Sequence, residues 1–411
     1  MKNGTARAPR LLAERAGSQL LCTVTREGAP AGFLAVDSTV AGRACGGLRL
    51  APGVDEAEVR VLARSMTLKY GFLGLPQGGA KAGVRGDPEG PPEERRELLR
   101  AFGSALAPLL RARLYSPGPD MGTSNEDIRD LLEAAGVQPR RRELRGTSSG
   151  YYTALTVFES AKAACAQAGV ALAGSEAAIE GFGKVGSALA LLLAEAGARV
   201  VAVSTSRGAL HEPAGLDVPR LARLAAAEGS RVAERGELGR RLPREGLLEL
   251  PAALLFPCAR HHSVHAQNAA RVGARIVCPG ANNPLTPEAE ALLGARGVLC
   301  VPDFVANAGG VLGGTMEFAS VPAPRIREFT GRHFRPRVAR VLAEAAAQGV
   351  SPREVAEKEA RRRFAEVVGR AARPSPLGRI FGLALEAYRR GWLPGPLVAR
   401  LSLPYFERTV G

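Results

Sequence analysis

The stretch A-A-I-E-G-F-G-K-V-G at 177–186 limits what this chain can fold into more than any other. Its glycines, Gly181, Gly183 and Gly186, stand in the G-x-G-x-x-G register. They follow an apolar run and open a helical pattern that ends at Gly197, just before A-R-V-V-A-V-S. Strand, glycine turn, helix and second strand in that order form the first half of a dinucleotide-binding fold. The glycines allow a tight turn and let a pyrophosphate approach the free N–H groups of a helix N-terminus. Gly181, Gly183, Lys184, Val185 and Gly186 are therefore the candidate cofactor turn. By itself the triplet is a weak signal, and a βα turn with fortuitous glycines is the plain alternative; the surrounding strand and helix give it weight.

Further candidate strands at 199–204, 252–256, 274–279 and 298–302 alternate with helical stretches, which predicts an α/β fold with a parallel, doubly wound sheet. A charged passage, R-R-R-E-L-R-G at 140–146, marks a division near residue 145. Before it, Asp55 to Glu58 reads as a capping box opening a helix through about Tyr70. A glycine-rich turn is expected at 75–83. From about 321 the chain turns helical and Arg-rich. The residues after about Pro374, including Trp392, suggest no role.

With 411 residues the chain is long enough for two domains. No apolar run is long enough to span a bilayer. Six scattered cysteines without a C-x-x-C pair suit reduced thiols in a cytoplasm. The formal charge of +15 raises the question of nucleic acid. However, the basic residues are nearly all Arg, spread evenly and without interleaved aromatics, so biased composition is the simpler reading and no nucleic-acid or membrane partner is expected. Only six lysines remain, at 2, 69, 81, 162, 184 and 358. A buried lysine can lose its proton near neutral pH and an arginine cannot, so a lysine among glycines is a candidate for chemistry.

The end of the second Rossmann strand normally carries a carboxylate for the ribose 2′-hydroxyl of NAD. Here it carries Ser204, Thr205 and Ser206, then Arg207. With no carboxylate to repel a 2′-phosphate and a guanidinium to bind one, NADP or use of both cofactors is favoured over NAD alone.

Lys69 in M-T-L-K-Y, Lys81 in G-G-A-K-A-G, Asp120 in G-P-D-M-G-T and Asn307 in P-D-F-V-A-N-A-G-G-V supply the groups that oxidising an amine at an α-carbon needs. A cation must hold the carboxylate, a base must activate water against an imine, and an acid must move the amino proton. These stretches, with G-G-L-R-L-A-P-G-V and C-P-G-A-N-N-P-L-T, match in order and spacing the glutamate/leucine/phenylalanine/valine dehydrogenases. The chain resembles that family over roughly residues 20 to 370.

The resemblance implies a substrate-binding and oligomerisation domain over 1–145, a Rossmann NAD(P)-binding domain over 146–320, and C-terminal helices from 321 that return to the first domain. It also implies a cleft between the domains and a homo-oligomer. By motif, Lys81 resembles the catalytic lysine, Asp120 the catalytic acid and Lys69 the lysine that pairs with the substrate α-carboxylate. Gly78 and Gly79 belong to the same substrate-side loop. Asn307 resembles a substrate and nicotinamide contact, Asn282 a cofactor contact and Thr147 a cofactor-side threonine.

Two departures bear on the substrate. Where glutamate dehydrogenases of this kind carry a lysine for the side-chain carboxylate, this chain has Cys45; where they carry a serine, it has Gly314. A buried carboxylate without its cation is costly. The expected reaction is therefore reversible oxidative deamination of an amino acid with an apolar or aromatic side chain to the 2-oxo acid and ammonium. The rivals are a glutamate dehydrogenase with a rearranged pocket, in which Arg43 offers a cation, and a non-catalytic regulatory relative. His261 and His265 stand four apart, but no acidic third ligand is near, so no metal site is expected.

Overall fold

The computed structural model describes residues 10–16, 19–138, 148–373 and 376–411. Two compact units account for the chain: Met1–Gly146 with Ala360–Val398, and Thr147–Glu359 with Ala399–Gly411.

In the first unit the chain opens with three strands, β1 (Arg10–Ala16), β2 (Gln19–Arg26) and β3 (Ala29–Val36), then β4 (Ala44–Leu50). Helix α1 (Glu56–Leu73) follows, started by Asp55, whose side chain accepts the Glu58 N–H at 2.8 Å. It stops at Gly74, whose φ of 68° is the left-handed conformation glycine tolerates. Its buried face carries Val59, Leu62 and Ala63 and, near its end, Lys69.

The glycine-rich segment expected as a turn is instead the fully buried strand β5 (Gly78–Val84). Its composition reflects crowding rather than strand propensity. A Cβ on Gly79 would lie 2.3 Å from Thr67 N on α1, and one on Gly78 would lie 2.1 Å from Ser38 O. Only glycine fits at those two positions, where the neighbouring backbone leaves no room for a Cβ. Helices α2 (Pro92–Ala105) and α3 (Ala107–Arg111), strand β6 (Tyr115–Pro119) and helix α4 (Asn125–Ala134) complete the layer. The sheet order is β1-β2-β3-β5-β4-β6, with β4 parallel to both of its neighbours and the remaining pairs antiparallel. Leu34, Leu48, Leu50, Phe102, Ile128 and Leu131 form its core.

The second unit begins with α5 (Ser149–Gln167), β7 (Glu176–Glu180), α6 (Lys184–Glu195) and β8 (Arg199–Thr205). Strands β9 (Gly208–His211), β10 (Arg240–Leu242), β11 (Leu254–Pro257), β12 (Ile276–Val277) and β13 (Leu299–Cys300) then give the order β10-β9-β8-β7-β11-β12-β13. The five strands β8-β7-β11-β12-β13 are parallel, as the alternation predicts. Strands β9 and β10 add an antiparallel edge that the sequence pattern did not suggest. They are only four and three residues long, and β10 is the polar R-R-L, so neither carries an apolar run. Among the described residues no helix is long and apolar enough to cross a membrane.

Candidate active site

In the first unit, β4, β5 and the end of β6 bring three charged side chains to one point. Lys81 Nζ lies 2.5 Å from Asp120 Oδ2, and Arg49 Nε donates to the same oxygen at 3.3 Å. The far side of the Arg49 guanidinium pairs with Glu58 on the first turn of α1. Glycines make the convergence possible. A Cβ on Gly47 would stand 2.7 Å from Asp120 Cβ and 3.1 Å from Lys81 Nζ; one on Gly46 would stand 1.6 Å from Ala80 O. The backbone of Asp120 is fixed as well: its N–H donates to Thr123 Oγ1 at 2.9 Å, and that hydroxyl donates to Leu48 O at 2.7 Å.

Lys81 has a side chain only 4% exposed. Burial pulls its pKa below the usual lysine range, with Asp120 opposing and Arg49 assisting. Burial alone would push the Asp120 carboxyl up, but Lys81 and Arg49 outweigh it and hold the group well below the usual carboxylate range. Asp120 stays 21% exposed, so a ligand can reach it. A lysine that gives up its proton easily, beside a carboxylate held ionised, suits proton exchange with an amine and with water.

The other residues of this unit that the sequence singles out for the substrate have definite places. Lys69 is buried near the end of α1. Gly78 and Gly79 are pinned at the start of β5: the Gly79 N–H donates to Ser38 Oγ at 2.9 Å, and Ser38 Oγ meets Thr67 Oγ1 at 2.6 Å. Cys45 on β4 is half-buried, and burial pushes its thiol up, with a Tyr70 hydrogen bond opposing. It is therefore a neutral wall at pH 7. A Cβ on Gly118 would meet nothing within 4 Å, so open space adjoins β6.

In the second unit the glycine turn sits between β7 and α6 as its pattern requires. Gly181 has φ 94°, and a Cβ there would meet Ala259 Cα at 2.8 Å; a Cβ on Gly186 would meet Gly181 O at 1.9 Å. Gly183 is exposed, and Lys184 starts the helix, exposed at its N-terminus. Val185 turns inward, its Cγ1 standing 3.1 Å from where a Cβ on Gly280 would be. Ser204 and Thr205 are committed to the protein. Ser204 Oγ accepts the Gly181 N–H at 3.1 Å; Thr205 Oγ1 donates to Ser230 O at 2.7 Å and accepts the Arg207 N–H at 3.1 Å. Ser204 thus braces the glycine turn, and Thr205 ties the end of β8 to the segments that follow.

Arg207 is exposed and lines a depression of about 560 Å³ with Arg241, Arg244 and Glu245. Arg241 and Arg244 come from β10 and the segment after it, the part of the sheet that the sequence did not disclose. Asn307 is buried, its Nδ2 donating to Ala281 O at 2.7 Å and to Asn282 Oδ1 at 3.2 Å. Its Oδ1 is buried with no hydrogen-bond partner. Such an orphaned acceptor is costly unless a ligand supplies a donor, and a carboxamide N–H₂ fits. With the open Gly183 and the N-terminus of α6, these residues fit a dinucleotide. Gly314 lies in the helix Gly309–Phe318 with open space where its Cβ would be. Thr147 lies outside the described residues.

The profile of the Glutamate/Leucine/Phenylalanine/Valine dehydrogenases matches residues 147–362, and that of the Glu/Leu/Phe/Val dehydrogenase dimerisation domain matches residues 22–135. The chain belongs to this family. This dehydrogenase is 37% identical to a glutamate dehydrogenase of Thermotoga maritima over 293 residues, 68% of this chain and 70% of the relative. It is 36% identical to NADP-specific glutamate dehydrogenase A1 of Halobacterium salinarum over 279 residues, 65% and 66% of the two chains. Among solved structures it resembles a hetero-hexameric glutamate dehydrogenase from Thermus thermophilus in its Leu-bound form. That match has a TM-score of 0.71 at 29% identity, over 88% of this chain and 89% of the other. It is an amino-acid dehydrogenase, and its relatives include NAD-specific and NADP-specific enzymes. Arg49 and Glu58 are the site residues that sequence reading passed over, although Arg49 ends the G-G-L-R motif and Glu58 sits in the capping box.

Proposed function

We propose that this dehydrogenase interconverts an amino acid bearing an apolar or aromatic side chain with its 2-oxo acid and ammonium. The observation that carries the reading is the 2.5 Å Lys81–Asp120 pair on the same sheet as the neutral Cys45. A bound nicotinamide would supply the acceptor for the hydride of the α-carbon. Lys69 pairs with the α-carboxylate. Asp120 takes a proton from the α-ammonium, freeing the lone pair that becomes the C=N bond as the hydride departs. Lys81, in its neutral form, then accepts a proton from water as the water oxygen bonds to the imine carbon and the C=N electron pair moves to nitrogen. Asp120 returns its proton to nitrogen, and as ammonia leaves with the C–N electron pair the hydroxyl proton passes back to the Asp120 carboxylate and the carbonyl forms.

NADP is favoured as the cofactor because Arg207, Arg241 and Arg244 outnumber Glu245 in their depression. A 2′-phosphate there would gain charge-assisted hydrogen bonds. The proposal includes Gly181, Gly183, Lys184 and Gly186 at the pyrophosphate, and Asn282 and Asn307 at the nicotinamide. It also includes assembly of the chain with copies of itself, which the dimerisation-domain match supports.

A second reading, glutamate as substrate, is favoured by the relatives, which are named as glutamate dehydrogenases. The Cys45→Lys variant separates the two. Truncating one partner of a buried charge pair costs about 3–5 kcal/mol, so supplying the missing cation should raise kcat/KM for glutamate by on the order of 10²-fold. Steady-state kinetics with glutamate checks this. A wild type already efficient on glutamate, with no gain in the variant, would establish the second reading.

A further inference from the structure

The two cations on Asp120 are held differently. Lys81 ends at the carboxylate, whereas Arg49 is stretched between two carboxylates, Asp120 Oδ2 at one side and Glu58 Oε1 at the other. Arg49 has a side chain 8% exposed and Glu58 one 17% exposed, so water screens these charges little. Across β5, the end of β6, β4 and α1 the charges alternate: Lys81, Asp120, Arg49, Glu58.

We propose that Arg49 is a positioning residue for Asp120 and that Glu58, by engaging the other side of its guanidinium, sets the pH window in which the Lys81–Asp120 pair works. This rests on the reading of Lys81 and Asp120 as the proton-transfer pair. Arg49 Nε fixes the Oδ2 edge of Asp120, and its charge favours the ionised carboxylate while disfavouring the protonated lysine. Glu58 opposes that charge. Among the described residues, Tyr115 on β6 also lies close enough to Asp120 to feel its charge, and next to it stand Cys45 on β4 and its hydrogen-bond partner Tyr70 on α1. Burial raises all three, so they stay neutral through the working range.

The signs follow. Removing the Arg49 charge lets both Asp120 and Lys81 keep their protons to higher pH; removing the Glu58 charge does the reverse. The two groups titrate as one coupled system, so the whole pH profile moves together. A salt bridge with a structural role only would lower stability or amplitude and leave the profile in place.

The test compares Arg49→Gln, Arg49→Lys and Glu58→Gln with the wild type by two readouts. One is kcat/KM for deamination against pH. The other is the pH midpoint of Lys81 labelling by an amine-reactive reagent without substrate, quantified by peptide mass spectrometry. Arg49→Gln should move both up by about one pH unit, and Glu58→Gln should move both down by on the order of half a unit. Arg49→Lys should recover most of the shift. Midpoints that do not move in Arg49→Gln, or that move the same way in both glutamine variants, overturn the proposal. Should Arg49→Gln fail to fold, Glu58→Gln decides alone: a downward shift supports the proposal and no shift overturns it. A labelling midpoint that moves while the turnover profile stays fixed upholds the charge network and overturns the reading of the proton-transfer pair.

Discussion

Asp120→Asn is expected to lower kcat for oxidative deamination by about 10²–10⁴-fold, the range typical of losing a positioned acid–base group. The amide nearly preserves the shape of the carboxylate but cannot accept the ammonium proton. It also removes the anion that holds Lys81 Nζ at 2.5 Å, leaving burial and Arg49 to lower the lysine pKa against the opposing charge of Glu58. The proposed dinucleotide site belongs to the other unit, so a fluorescence titration should return the wild-type dissociation constant. Single-turnover hydride transfer followed by nicotinamide absorbance is the decisive measurement. A variant retaining most of its transfer rate would remove Asp120 from the chemistry.

The second large effect is expected at Gly186. A methyl group there would fall 1.9 Å from Gly181 O and 3.2 Å from Ile179 Cγ2, backbone on one side and core on the other. The helix must therefore withdraw from the turn in Gly186→Ala. Its first N–H groups then no longer converge with those of the glycine turn on one pyrophosphate. A displacement of about 1 Å can cost 10²-fold in a positioned site, and dinucleotide affinity should fall by at least that order. Circular dichroism with cofactor titration separates this from unfolding. A folded variant that binds cofactor normally would mean that the turn is not the pyrophosphate site.

What the sequence disclosed depended on how each element is stabilised. The parallel strands of the second unit were readable because they are short apolar runs bounded by glycine or proline, and the glycine turn because its glycines are spaced by a steric requirement. Strand β5 was not readable as a strand. Its G-G-A-K-A-G-V has a single β-former, Val84 at its end, and its start is fitted between α1 and the Ser38–Thr39 backbone. The short antiparallel edge β9–β10 was equally hidden, and with it Arg241 and Arg244, which reach the depression through pairing across some thirty residues.

The site shows the same division. Lys81 and Asp120 stood out because lysine is scarce and both lie among glycines. Arg49 did not, since one arginine among so many carries no signal until β4 places it at 3.3 Å from Asp120. The partners of Ser204 and Thr205, Gly181 N–H and Ser230 O, were likewise hidden, because they come from segments more than twenty residues away in the chain.

The most direct test of the proposed substrate class is reductive amination with the wild-type enzyme. Nicotinamide absorbance would be followed with ammonium, a series of 2-oxo acids, and either NADPH or NADH. Turnover of the 2-oxo acids of leucine, valine or phenylalanine well above that of 2-oxoglutarate, with NADPH preferred, is the predicted result. Efficient turnover of 2-oxoglutarate with little use of the apolar acids would contradict it and return Cys45 and Gly314 to positions that do not read the side chain.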